Sequence, residues 1–144
     1  MIRLTNLADY AVVLMWTMGL KPSEWHSAQR LAQETNIPLP TVSKILNALS
    51  HAGLVVSHRG LKGGFELAKG ADEVTVADII EAMDGPIALT NCVTHVPGEC
   101  SIEHLCAFRP HWQTINRAIR TSLAGITLQA MIASARAPAG APAL

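Results

Sequence analysis

The sequence predicts a mainly α-helical fold with one small β-hairpin. Three observations predict it. Apolar residues recur at helical spacing through most of the chain, as in Val42, Ile45, Leu46 and Leu49. Residues 54–67 read differently: two β-prone runs flank the turn Arg59-Gly60-Leu61-Lys62-Gly63-Gly64. Last, Pro110 opens a long run whose apolar residues form one narrow stripe. In chain order these give a winged helix-turn-helix followed by a long helix suited to dimerisation.

At 144 residues, 49% of them apolar, the chain is one domain, or one small domain with an appended half. Its longest apolar run is far short of the ~20 residues that span a bilayer. Asp9 interrupts the apolar N-terminal stretch, and no small-residue cleavage site follows. That stretch therefore reads as an amphipathic core helix rather than a signal peptide, and no membrane partner is expected. The 3 cysteines are clustered and odd in number. Without a secretory signal this argues for a reducing cytoplasm rather than a disulfide framework.

The net charge is zero, but the charges are segregated. From His26 to Gly70, Arg30, Lys44, Arg59, Lys62 and Lys69 outnumber Glu34 and Glu66. From Ala71 to Ala107 there are seven acids and no Lys or Arg, and beyond Phe108 four arginines and no acid. Separate surfaces with separate partners are expected.

Residues 5–18 read as the first helix, with Leu4, Leu7, Ala11, Leu14 and Met18 inward and Thr5 or Asn6 as cap. Asp9, in its second turn, reads by itself as a solvated charge near a helix N-terminus. Ser27 caps a second helix, with Ala28, Leu31 and Ala32 inward, and Asn36 ends it in a left-handed conformation. Pro40 sits in the first turn of a third helix, whose far end Gly53 closes. The open face of that helix carries Thr41, Ser43, Lys44 and Asn47. Two short helices joined by a tight turn, then a hairpin with a basic tip, make a DNA reader. The candidate DNA contacts are Ser27, Pro40, Thr41, Ser43, Lys44 and Asn47, with Arg59, Lys62 and Gly63 on the wing. A phosphate-cradling loop is the rival reading of the wing glycines, but it lacks the required lysine pattern and leads into no helix.

Thr75 caps a fourth helix, with Asp78 completing a weaker form of the capping box. Val76, Ile79, Ile80 and Met83 face inward, and Gly85-Pro86 stops it. The segment Asn91 to Ala107 follows and holds Cys92, Cys100 and Cys106, with His95 and His104 between them and His111 beyond. Soft thiolates on one short segment select zinc or an iron–sulfur cluster over hard cations. A closed zinc site, a cluster-free thiol switch and a Cys/His nucleophile are the other readings. No oxyanion or substrate motif accompanies the last, so no enzyme is expected. From Pro110 to about Ala124, Trp112, Ile115, Ile119 and Leu123 form the narrow stripe, fit for a seam with a second copy. Thr127 caps a short final helix, and the tail reads as disordered. The expected divisions are 1–70 for DNA binding, 71–135 for the cysteine segment and dimerisation helix, and 136–144 for the tail.

RLTNLADYAVVLM, LPLPTVSKILNALSHAGLV, HRGLKGGFEL, VADIIEAMDGPIAL and the three cysteines before a long helix give the chain a family resemblance. It resembles the winged-helix iron–sulfur regulators of the IscR, NsrR and RirA type, and most of all the regulators of SUF-system cluster assembly. The resemblance implies a cytoplasmic homodimer with crossed long helices. It also implies a two-fold operator on double-stranded DNA, bound usually as a repressor, and a cluster held by Cys92, Cys100 and Cys106. Here the sequence departs from the family's common C-x5-C-x5-C, reading C-x7-C-x5-C. In the nitric-oxide-sensing branch the fourth ligand is an acid from the other subunit's first helix, and Asp9 falls at that position. In the IscR branch it is a histidine at a position held here by Arg109, which leaves His111, or His104 or His95 within the segment, as substitutes. By the same analogy an Asp9 ligand goes with a 4Fe–4S cluster and a histidine ligand with 2Fe–2S.

Overall fold

Thr5 begins the first helix. Its hydroxyl accepts the Ala8 N–H at 3.1 Å and donates to Asp84 Oδ1 at 2.7 Å. In the computed structural model, which describes residues 3–93 and 100–136, helix α1 runs Asn6–Gly19. It is followed by α2 (Ala28–Thr35), α3 (Leu39–His51), β1 (Val55–His58), β2 (Gly64–Leu67) and α4 (Val76–Asp84). A 3-10 turn at Asn91–Val93, α5 (Arg109–Ala124) and α6 (Leu128–Arg136) complete it. The fold is the mainly helical one with a hairpin wing that the sequence predicts.

Local chemistry explains the boundaries. Ser27 accepts the Arg30 N–H at 3.1 Å and starts α2. Asn36, at φ 57°, ends α2 in the left-handed region. Ile37 and Pro38 then turn the chain into α3, with Ile37 buried. α3 closes on Gly53, at φ 73°, where the Leu54 N–H reaches Leu49 O at 3.0 Å and the Gly53 N–H reaches Ser50 O at 3.1 Å. This is the Schellman arrangement, with Leu54 buried beside Leu49. β1 consequently begins at Val55, one residue later than the β-prone run. At α4 the capping box is complete rather than weak: the Asp78 carboxylate accepts the Thr75 N–H at 2.9 Å, and the Thr75 hydroxyl accepts the Asp78 N–H at 3.2 Å.

One core joins these elements. Ala11, Leu14, Met15 and Met18 of α1 meet Leu31 of α2, Val42, Ile45, Leu46 and Leu49 of α3, Ile79 of α4 and Leu128 and Ile132 of α6. Leu4, expected in the apolar stripe, precedes α1 and is exposed, because the helix starts two residues after it. α6 seats on α1 at Gly19, where a β-carbon would lie 2.6 Å from Ile132 Cδ1. Arg136 belongs to α6, and the rest of the expected tail, residues 137–144, lies outside the described residues.

Between Gly85 and Thr127 the chain leaves this core and returns. Among the described residues of that excursion, Cys92 alone is buried. The return is fixed by two backbone bonds, Val76 N–H to Ile126 O at 2.9 Å and Leu128 N–H to Val74 O at 2.8 Å. α5 has no fully buried residue: Trp112, Ile119 and Leu123 of its apolar stripe are half-buried and Ile115 is exposed, so its own chain covers the stripe only in part.

Candidate nucleic-acid interface and cysteine site

The wing is an antiparallel pair in which Val55 faces Leu67, Val56 Glu66, Ser57 Phe65 and His58 Gly64. It has a third rail that the sequence did not disclose. The His26 N–H donates to Phe65 O and the Phe65 N–H to His26 O, both at 2.8 Å. This bridge ties the wing to the residue just before the α2 cap. Gly64 permits it, since a β-carbon there would lie 2.9 Å from His26 O. His26 itself is buried, with Nε2 3.2 Å from Lys21 O. Beside it the Trp25 ring packs against His58, centroids 3.7 Å apart and planes tilted by 51°, and His58 Nε2 lies 2.9 Å from Glu66 Oε1. Hinge motion of the hairpin is thus braced from its base.

At the other end, the Gly63 N–H bonds Gly60 O at 2.9 Å and closes a tight turn around Leu61 and Lys62. Gly60, at φ 122°, takes a conformation that favours glycine. Gly63 must also be glycine, because a β-carbon would run into the backbone of His58 and Gly60. Gly63 thus shapes the wing instead of presenting a side chain. Arg59 and Lys62 are exposed and make no ion pair among the described residues.

On α3, Pro40, Lys44 and Asn47 are exposed, and Thr41 and Ser43 are half-buried. Lys44 and Asn47 make no side-chain hydrogen bond or ion pair among the described residues, so their donors are available. Ser27 differs, since its oxygen is engaged as the α2 cap. Arg30 is also committed: it pairs with Glu24 at 3.0 Å and Glu34 at 2.9 Å, and the Glu34 and Glu24 bonds raise its pKa. Of the cations between His26 and Gly70, Lys44 on α3 and Arg59 and Lys62 at the wing tip are exposed without an ion pair among the described residues, as is Lys69 after the wing, while Arg30 is committed.

The cysteine site lies at the far end of the excursion. Cys92, Cys100 and Cys106 are all free thiols. Cys92 is buried in the 3-10 turn with its sulfur 3.2 Å from Thr90 Oγ1, whereas Cys100 and Cys106 are half-buried. His104 and His111 are exposed, the latter 5.1 Å from the Phe108 ring. His95 falls outside the described residues. Asp9 is exposed on the first turn of α1. Among the described residues no three Cys, His, Asp or Glu side chains converge into a ready metal site. Glu103 pairs with Arg109 at 2.9 Å and so fixes the turn before α5.

Three groups that carry no motif hold this segment to the rest. Asn116 of α5 donates to Ile87 O at 2.9 Å and accepts the Leu89 N–H at 3.1 Å. Arg120, one turn on, donates to both oxygens of Glu81 at 2.8 and 2.9 Å. Those bonds, with the Ile87 N–H assisting, hold the Glu81 carboxyl below the usual carboxylate range against the opposing effect of burial. These contacts are long-range and leave no local signal beyond an Asn and an Arg on one face of a predicted helix.

A helix-turn-helix with a braced wing, free cations on α3 and at the wing tip, and a thiol-bearing arm define a winged-helix transcriptional regulator. The chain belongs to the Rrf2 family, whose model, described as an iron-dependent transcriptional regulator, matches residues 4–134. Its relatives are regulators, not enzymes. One from Aquifex aeolicus (strain VF5), described as an HTH-type transcriptional regulator, is 29% identical over 130 residues, covering 89% of this chain and 90% of that one. Among solved structures, CymR, the global cysteine regulator of B. subtilis, matches with a TM-score of 0.73 at 27% identity, over 93% of this chain and 98% of that one. IscR of T. potens matches in fold, with a TM-score of 0.72 at 22% identity, over 99% and 94% of the two chains. No helix among the described residues is long and apolar enough to cross a membrane.

Proposed function

We propose that this DNA-binding regulator is a homodimeric repressor of iron–sulfur assembly genes that senses cluster status through Cys92, Cys100 and Cys106. The observation that supports it is the excursion from Gly85 to Thr127: three free thiols precede a long helix whose apolar stripe is only half covered by its own chain. The donor set fits the group chemically, being three unpaired thiols on one segment, though the described residues do not present it preassembled. A bound cluster would supply sensitivity to oxygen, nitric oxide and iron supply. Asp9 of the second copy is the proposed fourth ligand, with His111 or His104 as substitutes; the first goes with a 4Fe–4S cluster, the others with 2Fe–2S.

This chain's own residues make the coupling short. Asn116 holds the 87–89 strap to α5, and Arg120 holds α5 to α4 through Glu81. Asp84, at the end of α4, accepts from Thr5 at the start of α1. α1 in turn packs on α3, the helix proposed to enter the major groove. A shift of the cysteine segment would thus reach the spacing of two α3 helices in a dimer. Half-sites on a two-fold operator lie ~34 Å apart or at multiples of that, so small shifts change affinity. Coupling of ~1–3 kcal/mol would alter occupancy by one or two decades.

The match to CymR favours a second reading, a cluster-free thiol switch on the same cysteines. Anaerobic purification separates the readings. Brown protein with iron and sulfide, bleached by oxygen and colourless as Cys106→Ala, supports the cluster. Colourless protein with stoichiometric zinc, or metal-free protein whose alkylation pattern changes on oxidation, overturns it. A cluster unaffected by Asp9→Ala moves the fourth ligand to a histidine.

A further inference from the structure

Leu61 stands at the apex of the wing with a relative exposure of 109%, above every other large apolar residue described. It touches nothing of its own fold, so it adds nothing to the core. A single exposed leucine is ordinary on a protein surface. Its setting here is not. It occupies the first central position of the tight turn closed by the Gly63 N–H on Gly60 O at 2.9 Å. Gly60 and Gly63 are held to glycine by a positive φ and by backbone crowding respectively, so the turn is shaped around Leu61 and Lys62. Arg59 and Lys62 flank the leucine in sequence. From below, the His26–Phe65 bridge and the tilted Trp25–His58 ring contact fix the hairpin's direction. An apolar tip between two free cations on a rigid stalk matches the chemistry of a minor-groove wedge: cations to phosphates, an aliphatic side chain to a base step.

We infer that Leu61 is a specificity-determining DNA contact: it enters the minor groove beside the half-site and wedges against a flexible base step. The inference rests on the wing docking to DNA. A leucine pressed into the groove partly unstacks the step it meets. Pyrimidine–purine steps such as TA and CA unstack most readily, so they are preferred at that position without any hydrogen bond being read. Lys62, beside it, supplies phosphate attraction, which is indifferent to sequence and sensitive to salt. The wing thus separates two roles between adjacent residues.

The test uses the full-length protein and a duplex selected by it from a random-sequence pool. Affinity is measured across a salt series for wild type, Leu61→Ala and Lys62→Ala. Each is assayed on the selected duplex and on duplexes with the wing-facing step changed to GG. A 2-aminopurine placed at that step reports unstacking. Expected for Leu61→Ala are a loss of affinity of about tenfold, as for a leucine leaving a largely buried contact, an unchanged salt slope, and disappearance of both the TA/CA preference and the fluorescence rise. Lys62→Ala should keep the step preference and lower the salt slope by about one. If Lys62→Ala lowers the slope while Leu61→Ala binds and discriminates like wild type, the wing docks but the wedge is overturned. If neither variant changes anything, wing docking itself fails and the wedge with it. Leu61 has no contact in its own fold, so folding of the alanine variant is not at risk.

Discussion

Arg120 of α5 donates two hydrogen bonds to the Glu81 carboxylate of α4, at 2.8 and 2.9 Å. The pair joins the long helix to the helix that packs on α1. Because Arg120 holds the Glu81 pKa below the usual carboxylate range, the folded state favours the ionised carboxylate. The contribution is then fully present above the unfolded-state pKa and is lost as pH falls through the lowered, folded one. Glu81→Gln should reduce the melting temperature by a few degrees at neutral pH. The gap should close in acid, below the usual carboxylate range. Thermal unfolding over a pH series checks this, and a gap that persists into strong acid would count against the pair.

Asn116 makes both of its bonds to the strap before the cysteines, through Ile87 O and the Leu89 N–H. Asn116→Ala should cost about 1–2 kcal/mol, one or two hydrogen bonds to partly buried partners. It should also speed hydrogen exchange at Leu89 relative to amides of α3. Exchange confined to global unfolding, with Leu89 no faster than in wild type, would remove the strap from the coupling route.

Lys44 and Arg30 both belong to the basic half of the sequence, but only Lys44 is unpaired. Lys44→Ala should weaken operator binding and flatten its salt dependence by about one unit of slope. Arg30→Ala should leave the slope close to wild type. Filter binding or fluorescence anisotropy across a salt series distinguishes them. Equal slopes for the two variants would show that the ion pairs of Arg30 open on DNA.

Thr75 and Asp78 cap α4 reciprocally. Thr75→Ala should destabilise the fold by about 1 kcal/mol. That corresponds to a melting temperature lower by roughly 2–8 °C. Urea denaturation should give a lower midpoint at an unchanged m-value; a changed m-value would mean that α4 melts separately.

Much of this fold was legible in order along the chain, because its determinants are local. Asn36 and Gly53 stop their helices by tolerating the left-handed region, and Ser27, Thr75 and Thr127 start theirs by accepting a backbone N–H. The exposed face of α3 and the wing tip followed from periodicity and glycine content. What escaped was non-local. His26 pairs with Phe65 from a distant part of the chain, and nothing in its neighbours marks it as a third wing strand. Arg30 counts toward the basic half of the sequence, but its bond to Glu24 depends on where the preceding loop folds back.

The sequence alone determined the order of helices, the wing, and the type of donor at the cysteine segment, since spacing, caps and side-chain chemistry are carried by adjacent residues. The tertiary structure decided which of these groups remain free. It paired Arg30 with Glu24 of the preceding loop and left Lys44, Arg59 and Lys62 open. It buried Cys92 and left Asp9 at the surface. It also left the apolar face of α5 only half covered by its own chain. Availability depends on which distant groups packing brings within bonding distance, and no local pattern encodes that.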